Sequence, residues 1–168
     1  MRINKGVEWA SHACALLAPL WPDNGLPLSA LAEFHSLPEP YMAKQMQALA
    51  HAGIVTGGRG RSGFYMLAKS PSEINLLDIL LAIDGDEPMF RCDEIRQNGP
   101  CGAKPAECTV PCNIAAGFWR AEIAYRESLA KVNLGTLAKS VAAQLGPEKV
   151  AKAGEWIGAN LRSRATAG

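Results

Sequence analysis

Residues 29–67 read SALAEFHSLPEPYMAKQMQALAHAGIVTGGRGRSGFYML, and the order of features within them decides the fold. Ser29 suits the N-cap of a short helix over Ala30 to His35, with Glu33 near the capping-box position. Leu37-Pro38-Glu39-Pro40 is a tight connection into a second helix, from about Glu39 to Ala52, whose buried face carries Met42, Met46 and Leu49. Gly53 stands where glycine ends a helix. Two short helices joined by a few residues, the second bearing polar Tyr41, Lys44, Gln45 and Gln47, match a helix-turn-helix layout. Next come Ile54-Val55-Thr56, a glycine-rich basic turn and Phe64-Tyr65-Met66-Leu67, which together spell a β-hairpin. After a helix-turn-helix such a hairpin reads as a wing, and Arg59 and Arg61 at its tip suit a phosphate backbone or a narrow minor groove.

The flanks are helical. From about Asn4 to Leu20, the residues Val7, Ala10, Cys14 and Leu17 form one apolar stripe, closed by Pro19 and Pro22, and Asp23-Asn24-Gly25 reads as a turn. Asn75 to Asp84 is amphipathic. A long helix from Ile114 to about Val132 places Phe118, Tyr125, Leu129 and Val132 on one face, wide enough to pack against a second copy of itself. Residues 134–157 are helix-compatible with a break at Gly146-Pro147, and the chain after Arg162 looks frayed. The expected fold class is mostly α with a small β-hairpin: a winged helix-turn-helix plus a long dimerisation helix. The chain divides into a DNA-binding domain (1–84), a cysteine-bearing loop (85–113), and a dimerisation helix with a helical tail (114–162).

A hydrophobic content of 48% with 20% charged residues, in 168 residues, is that of a globular chain. No apolar run reaches the length of a membrane span. The N-terminus enters a helical pattern within a few residues and shows no signal-peptide core, so the chain reads as cytoplasmic. The net charge of +1 hides an uneven distribution: +2 over residues 1–70, −5 over 71–130 and +4 over 131–168. A charge of +2 is mild for a DNA-binding module, and a dimer would double the footprint. No nucleophile–base pair or phosphate loop is evident, so an enzyme is not expected.

Four of the five cysteines, Cys92, Cys101, Cys108 and Cys112, fall in a 21-residue stretch without helix or strand period. Their C-x8-C-x6-C-x3-C spacing lacks the paired knuckles of common zinc sites, although zinc stays open. A connection of this length without structure of its own needs something to hold it, and a metal or cluster bound to thiolates would do so. Cys14, on the apolar stripe, reads as a core thiol. Glu8 and His12 lie i, i+4 on the first helix, away from that stripe. Such a pair is commonly an ordinary surface pair, and its spacing also suits two ligands of one ion.

Several stretches together resemble the IscR/NsrR (Rrf-type) family of bacterial transcription regulators: PYMAKQMQAL, AGIV, RGRSGFYML and SEINLLDILLAIDG, followed by the cysteine loop. The resemblance covers about residues 1–135. It implies a homodimeric winged-helix regulator of double-stranded operator DNA, with an iron–sulfur cluster near the dimer interface. That cluster would sense redox state, nitric oxide or cluster supply. Within the family, GVEWA, His12, KQMQAL and EIRQNGP are most similar to the redox-sensing RsrR branch. That branch implies a 2Fe–2S cluster held by Glu8 and His12 of one subunit and by Cys92 and Cys112 of the other, with 4Fe–4S or zinc ranked behind. Cys101 and Cys108 then become spare thiols, or alternative ligands.

The expected DNA-contact set is Glu39, Pro40, Tyr41, Lys44, Gln45, Arg59 and Arg61. Two rival readings stand beside this one. One is a cluster-free regulator switched by oxidation of the loop thiols; the other is a zinc- or iron-binding adaptor that acts on protein partners.

Overall fold

A computed structural model describes residues 3–58 and 63–164. Helix α1 (Lys5–Leu17) starts where the Asn4 side chain accepts from the Gly6 N–H at 2.9 Å, and it buries Val7, Ala10, Cys14 and Leu17. It gives way to a 3-10 turn at Ala18–Leu20, so the α-helix stops short of the expected Leu20. Helices α2 (Leu28–Phe34) and α3 (Glu39–His51) form the helix-turn-helix. The turn between them is closed by the Leu37 N–H on the Ala32 carbonyl at 2.9 Å, with Ser36 in the left-handed region. Gly53, with φ of 67°, ends α3, and the Ile54 N–H returns to the Leu49 carbonyl at 2.9 Å.

Strands β2 (Val55–Gly58) and β3 (Phe64–Leu67) pair antiparallel from Val55 opposite Leu67 to Gly58 opposite Phe64. The wing hairpin therefore forms as expected. Its tip, with Arg59 and Arg61, lies outside the described residues. A four-residue strand β1 (Asn24–Pro27) adds to the sheet beside β3, where a turn was expected at Asp23-Asn24-Gly25. The reason is long-range: Leu26 sits opposite Tyr65 and Pro27 opposite Phe64, pairings that no local pattern announces. Only glycine fits at Gly25, because a Cβ there would stand 2.0 Å from the Tyr65 carbonyl oxygen.

Helix α4 (Leu76–Asp84) begins in a reciprocal cap between Asn75 and Asp78. Helices α5 (Asn113–Ala130), α6 (Leu134–Leu145) and α7 (Pro147–Asn160) follow. The chain then returns as β4 (Arg162–Ser163) along the free edge of β1; of the stretch expected to fray, Ser163 and Arg164 are paired, and residues 165–168 lie outside the described residues. The sheet order is β2-β3-β1-β4. One core unites α1, α2, α3, the sheet and α4 through Leu17, Leu26, Leu31, Met46, Leu49 and Ile79. Helix α5 stands apart and buries only Ala115, leaving Ile114 68%, Phe118 53% and Ile123 57% exposed.

Candidate nucleic-acid interface and sensor site

Helix α3 presents Glu39, Pro40 and Lys44 to solvent, with Tyr41 half-buried beside them. Gln45, expected on this reading face, is turned into the core and is 4% exposed. Its Oε1 fills the space left by the missing side chain of Gly6, 2.7 Å from where a Cβ would stand. Its place three residues after Met42 and four before Leu49 puts it on the apolar stripe of α3, a signal that its polar chemistry hides. Contact between Gly6 and Gln45 packs the start of α1 directly on the recognition helix.

On α1, Glu8 and His12 are both exposed and line one open groove of about 290 Å³. The opposite walls come from Leu80 of α4, Tyr125 and Leu129 of α5, and Leu137 and Val141 of α6. Behind His12 lies His35, their ring centres 5.9 Å apart, with Trp9 at 6.3 Å from His35. The His35 Nε2 is buried without a hydrogen-bond partner. Burial, and secondarily the nearby His12, lower the pKa of His35 and favour its neutral form. On the core side of the same helix, burial pushes the Cys14 thiol up to about 12.

The cysteine loop leaves α4 and runs back along α5. Asp86 pairs with Arg126, the Met89 N–H donates to Glu122 Oε2 at 3.1 Å, and Phe90 stacks on Phe118 at 4.7 Å. The Trp119 indole N–H donates to the Phe90 carbonyl at 3.4 Å. Two 3-10 turns, Ile95–Gln97 and Pro105–Glu107, break the remainder. Cys92, Cys108 and Cys112 are half-buried free thiols, and Cys101 is exposed. Cys112 stands at the N-cap position of α5 without a side-chain cap hydrogen bond, and the nearby backbone N–H groups of Ala115 and Ile114 hold its thiol below the ordinary value.

Among the described residues, no three His, Cys, Asp or Glu side chains converge on one point within a single chain. Glu8 and His12 thus form a two-donor site on α1 that no loop thiol of the same chain completes. A carboxylate oxygen and an imidazole on one face, facing an apolar groove, suit half of a mixed iron–sulfur ligand set, and the half-buried loop thiols suit the other half.

The protein family described as iron-dependent transcriptional regulators, Rrf2, matches residues 3–140. A protein of Aquifex aeolicus named as an HTH-type transcriptional regulator is 33% identical over 103 residues, covering 56% of this chain and 69% of its own. One so named from Synechocystis is 42% identical over 66 residues, 39% of this chain and 45% of its own, so the match spans less than half of that relative. The solved structure of CymR, the global cysteine regulator of B. subtilis, superposes with a TM-score of 0.63 at 23% identity, covering 83% of this chain and 98% of that one. T. potens IscR does so with a TM-score of 0.62 at 21% identity, covering 88% and 93%. These two likenesses carry the fold. No helix among the described residues is long and apolar enough to cross a membrane.

Proposed function

As the chain belongs to the Rrf2 family of DNA-binding transcriptional regulators, and not to an enzyme family, we propose that its operator binding is gated by an iron–sulfur cluster shared between two copies. The 2Fe–2S form is held by Glu8 and His12 of one subunit and by Cys92 and Cys112 of the other; 4Fe–4S and zinc rank behind it. The single observation that carries this reading is the exposed Glu8–His12 pair on the wall of the groove, which has two donors and, among the described residues of its own chain, lacks the rest of a coordination sphere. When bound, such a group supplies one-electron redox chemistry at a potential tuned by its imidazole and carboxylate ligands.

The remaining roles fall to the chain's own residues. The exposed Ile114 and Phe118 of α5, one turn apart, offer the face that a second copy covers. Glu39, Pro40, Tyr41 and Lys44 of α3 enter the major groove, and the Arg59–Arg61 wing reaches the backbone beside it. Because α1 packs on α3 at Gly6 and Gln45, a change in what Glu8 and His12 hold reaches the recognition helix through one layer of contact. A cytoplasmic location, where clustered thiols stay reduced, suits this reading.

The test is an absorbance and EPR spectrum, with iron and sulfide counts, on protein purified without oxygen. DNA affinity is then measured on the loaded and stripped forms. A 2Fe–2S signature altered in Glu8→Ala and His12→Ala is expected; a cluster indifferent to both moves ligation to the loop cysteines. A second reading, a regulator switched by thiol oxidation, draws on the lowered Cys112 thiol. Protein that binds no iron, with DNA affinity that responds to peroxide, would favour it.

A further inference from the structure

We infer that Arg96 is the positioning residue of the cysteine loop: its side chain ties the middle of the loop to the Val110 segment near its end, aims Cys108 and Cys112, and holds a fixed cation on the backbone between them. This rests on the cluster reading in assigning Cys112 to an iron–sulfur group, with Cys108 as its spare neighbour. The geometry that carries it is independent of that assignment.

The Arg96 guanidinium forks onto Glu94, Nε on Oε1 and Nη2 on Oε2, the latter at 2.8 Å. The same Nη2 donates to the Val110 carbonyl at 2.9 Å, and Val110 lies midway between Cys108 and Cys112. The Arg96 carbonyl accepts from the Ala103 N–H at 2.8 Å, closing the turn that carries Cys101. That turn is tight enough that a Cβ at Gly102 would stand 2.5 Å from the Gln97 carbonyl oxygen. One residue therefore fastens the segments bearing Cys101, Cys108 and Cys112.

Glu94 is held at φ of 50°, in the left-handed region that a non-glycine residue enters only when its surroundings compensate, and the fork from Arg96 is that compensation. With 31% of its side chain exposed, Arg96 is half-buried, and its guanidinium sits on the Val110 carbonyl, two residues from both Cys108 and Cys112. A guanidinium can serve a carboxylate and a carbonyl at once through a rigid fork, which a lysine ammonium cannot reproduce. Two thiolates bound to a cluster bring net negative charge to the loop. A fixed cation near the Cys112 end of that set stabilises the more negative, reduced form.

The experiment uses the whole chain, prepared without oxygen, as wild type, Arg96→Lys and Arg96→Met. The midpoint potential is read by EPR redox titration, iron release by exposure to a chelator, and the protected cysteines by alkylation and mass spectrometry. Arg96→Met is expected to move the potential to a more negative value, to release iron several-fold faster, and to blur the protection pattern among Cys92, Cys108 and Cys112. Arg96→Lys should keep the potential near wild type while still releasing iron faster, which separates charge from positioning. Wild-type potential, release and protection in both variants would overturn the inference. If wild-type protein itself binds no iron and sulfide, the cofactor reading fails and Arg96 is tested on the metal-free chain. There Arg96→Met should raise amide hydrogen exchange over residues 94–112 several-fold, with that of α1–α4 unchanged, and equal exchange would overturn it.

Discussion

The indole of Trp156 in α7 lies against the ring of Phe34 at the end of α2, their centres 5.1 Å apart and their planes tilted by 57°. The last helix is thereby seated on the first helix of the helix-turn-helix. Beyond it, β4 pairs Asn24 with Ser163 and Gly25 with Arg162, and the Arg164 N–H donates to the Asp23 carbonyl at 2.9 Å. The Arg164 guanidinium reaches the Met66 sulfur of β3 at 3.5 Å. Residues 141–164 lie beyond the family match, and they close the open edge of the wing sheet.

Trp156→Ala should lower the stability of the fold by about 2 kcal/mol, less than a fully buried indole because this one is half-buried. Urea denaturation reads the loss, and hydrogen exchange should rise in β1 before it rises in α3. An unchanged denaturation midpoint would mean that α7 rests on α2 without holding it.

Gly25→Ala should be more damaging, on the order of 3 kcal/mol, because its methyl group meets the backbone oxygen of Tyr65 rather than a movable side chain. Circular dichroism melting checks this, with Gly57→Ala as the control. A Cβ at Gly57 meets nothing nearer than the Phe64 carbonyl at 3.9 Å. Equal melting temperatures for the two variants would show that β1 does not need its close approach to β3.

Arg59→Ala should weaken operator binding and make the slope of log K against log salt shallower by about one unit, since one phosphate contact is lost. Lys44→Ala, on the exposed face of α3, should weaken binding as well. Fluorescence anisotropy at several salt concentrations distinguishes the contributions. An unaltered slope in Arg59→Ala would remove the wing from the phosphate-contacting surface.

Cys14 gives the fold an alkaline weakness. Its thiol titrates from 9.0 in an unfolded chain and from about 12 in the folded one, because burial disfavours the thiolate. Above pH 9 the unfolded chain sheds this proton first, so its stabilising contribution is complete below pH 9 and fades as the pH rises towards 12. The Cys14→Ala protein should begin less stable and lose less across that window. Alkylation at pH 8 should spare Cys14 while modifying exposed Cys101; modification of both at equal rates would contradict the burial.

Much of the fold is legible in the chain because its signals are short-range. The α3 stripe of Met42, Met46 and Leu49, the stop at Gly53 and the hairpin residues Phe64–Leu67 all stand where local periodicity and turn chemistry put them. Glu8 and His12 could be placed together on one helical face for the same reason, since i and i+4 spacing is geometry internal to α1. Gln45 is polar yet lies on the apolar stripe of α3, and its position outweighs its chemistry. The burial that decides the matter comes from Gly6, thirty-nine positions away.

What the sequence by itself determined is the set of helices, the paired strands of the wing hairpin and the placing of Glu8 and His12 on one face of α1. Each depends on neighbours within a turn or two of chain. Tertiary structure alone decided that Asn24–Pro27 is a strand, that Arg162–Ser163 returns to pair with it, and that Arg96 joins Glu94 to Val110. Those outcomes rest on carbonyls and N–H groups finding partners across long loops. Such partners exist only once the core has brought distant segments within hydrogen-bonding distance.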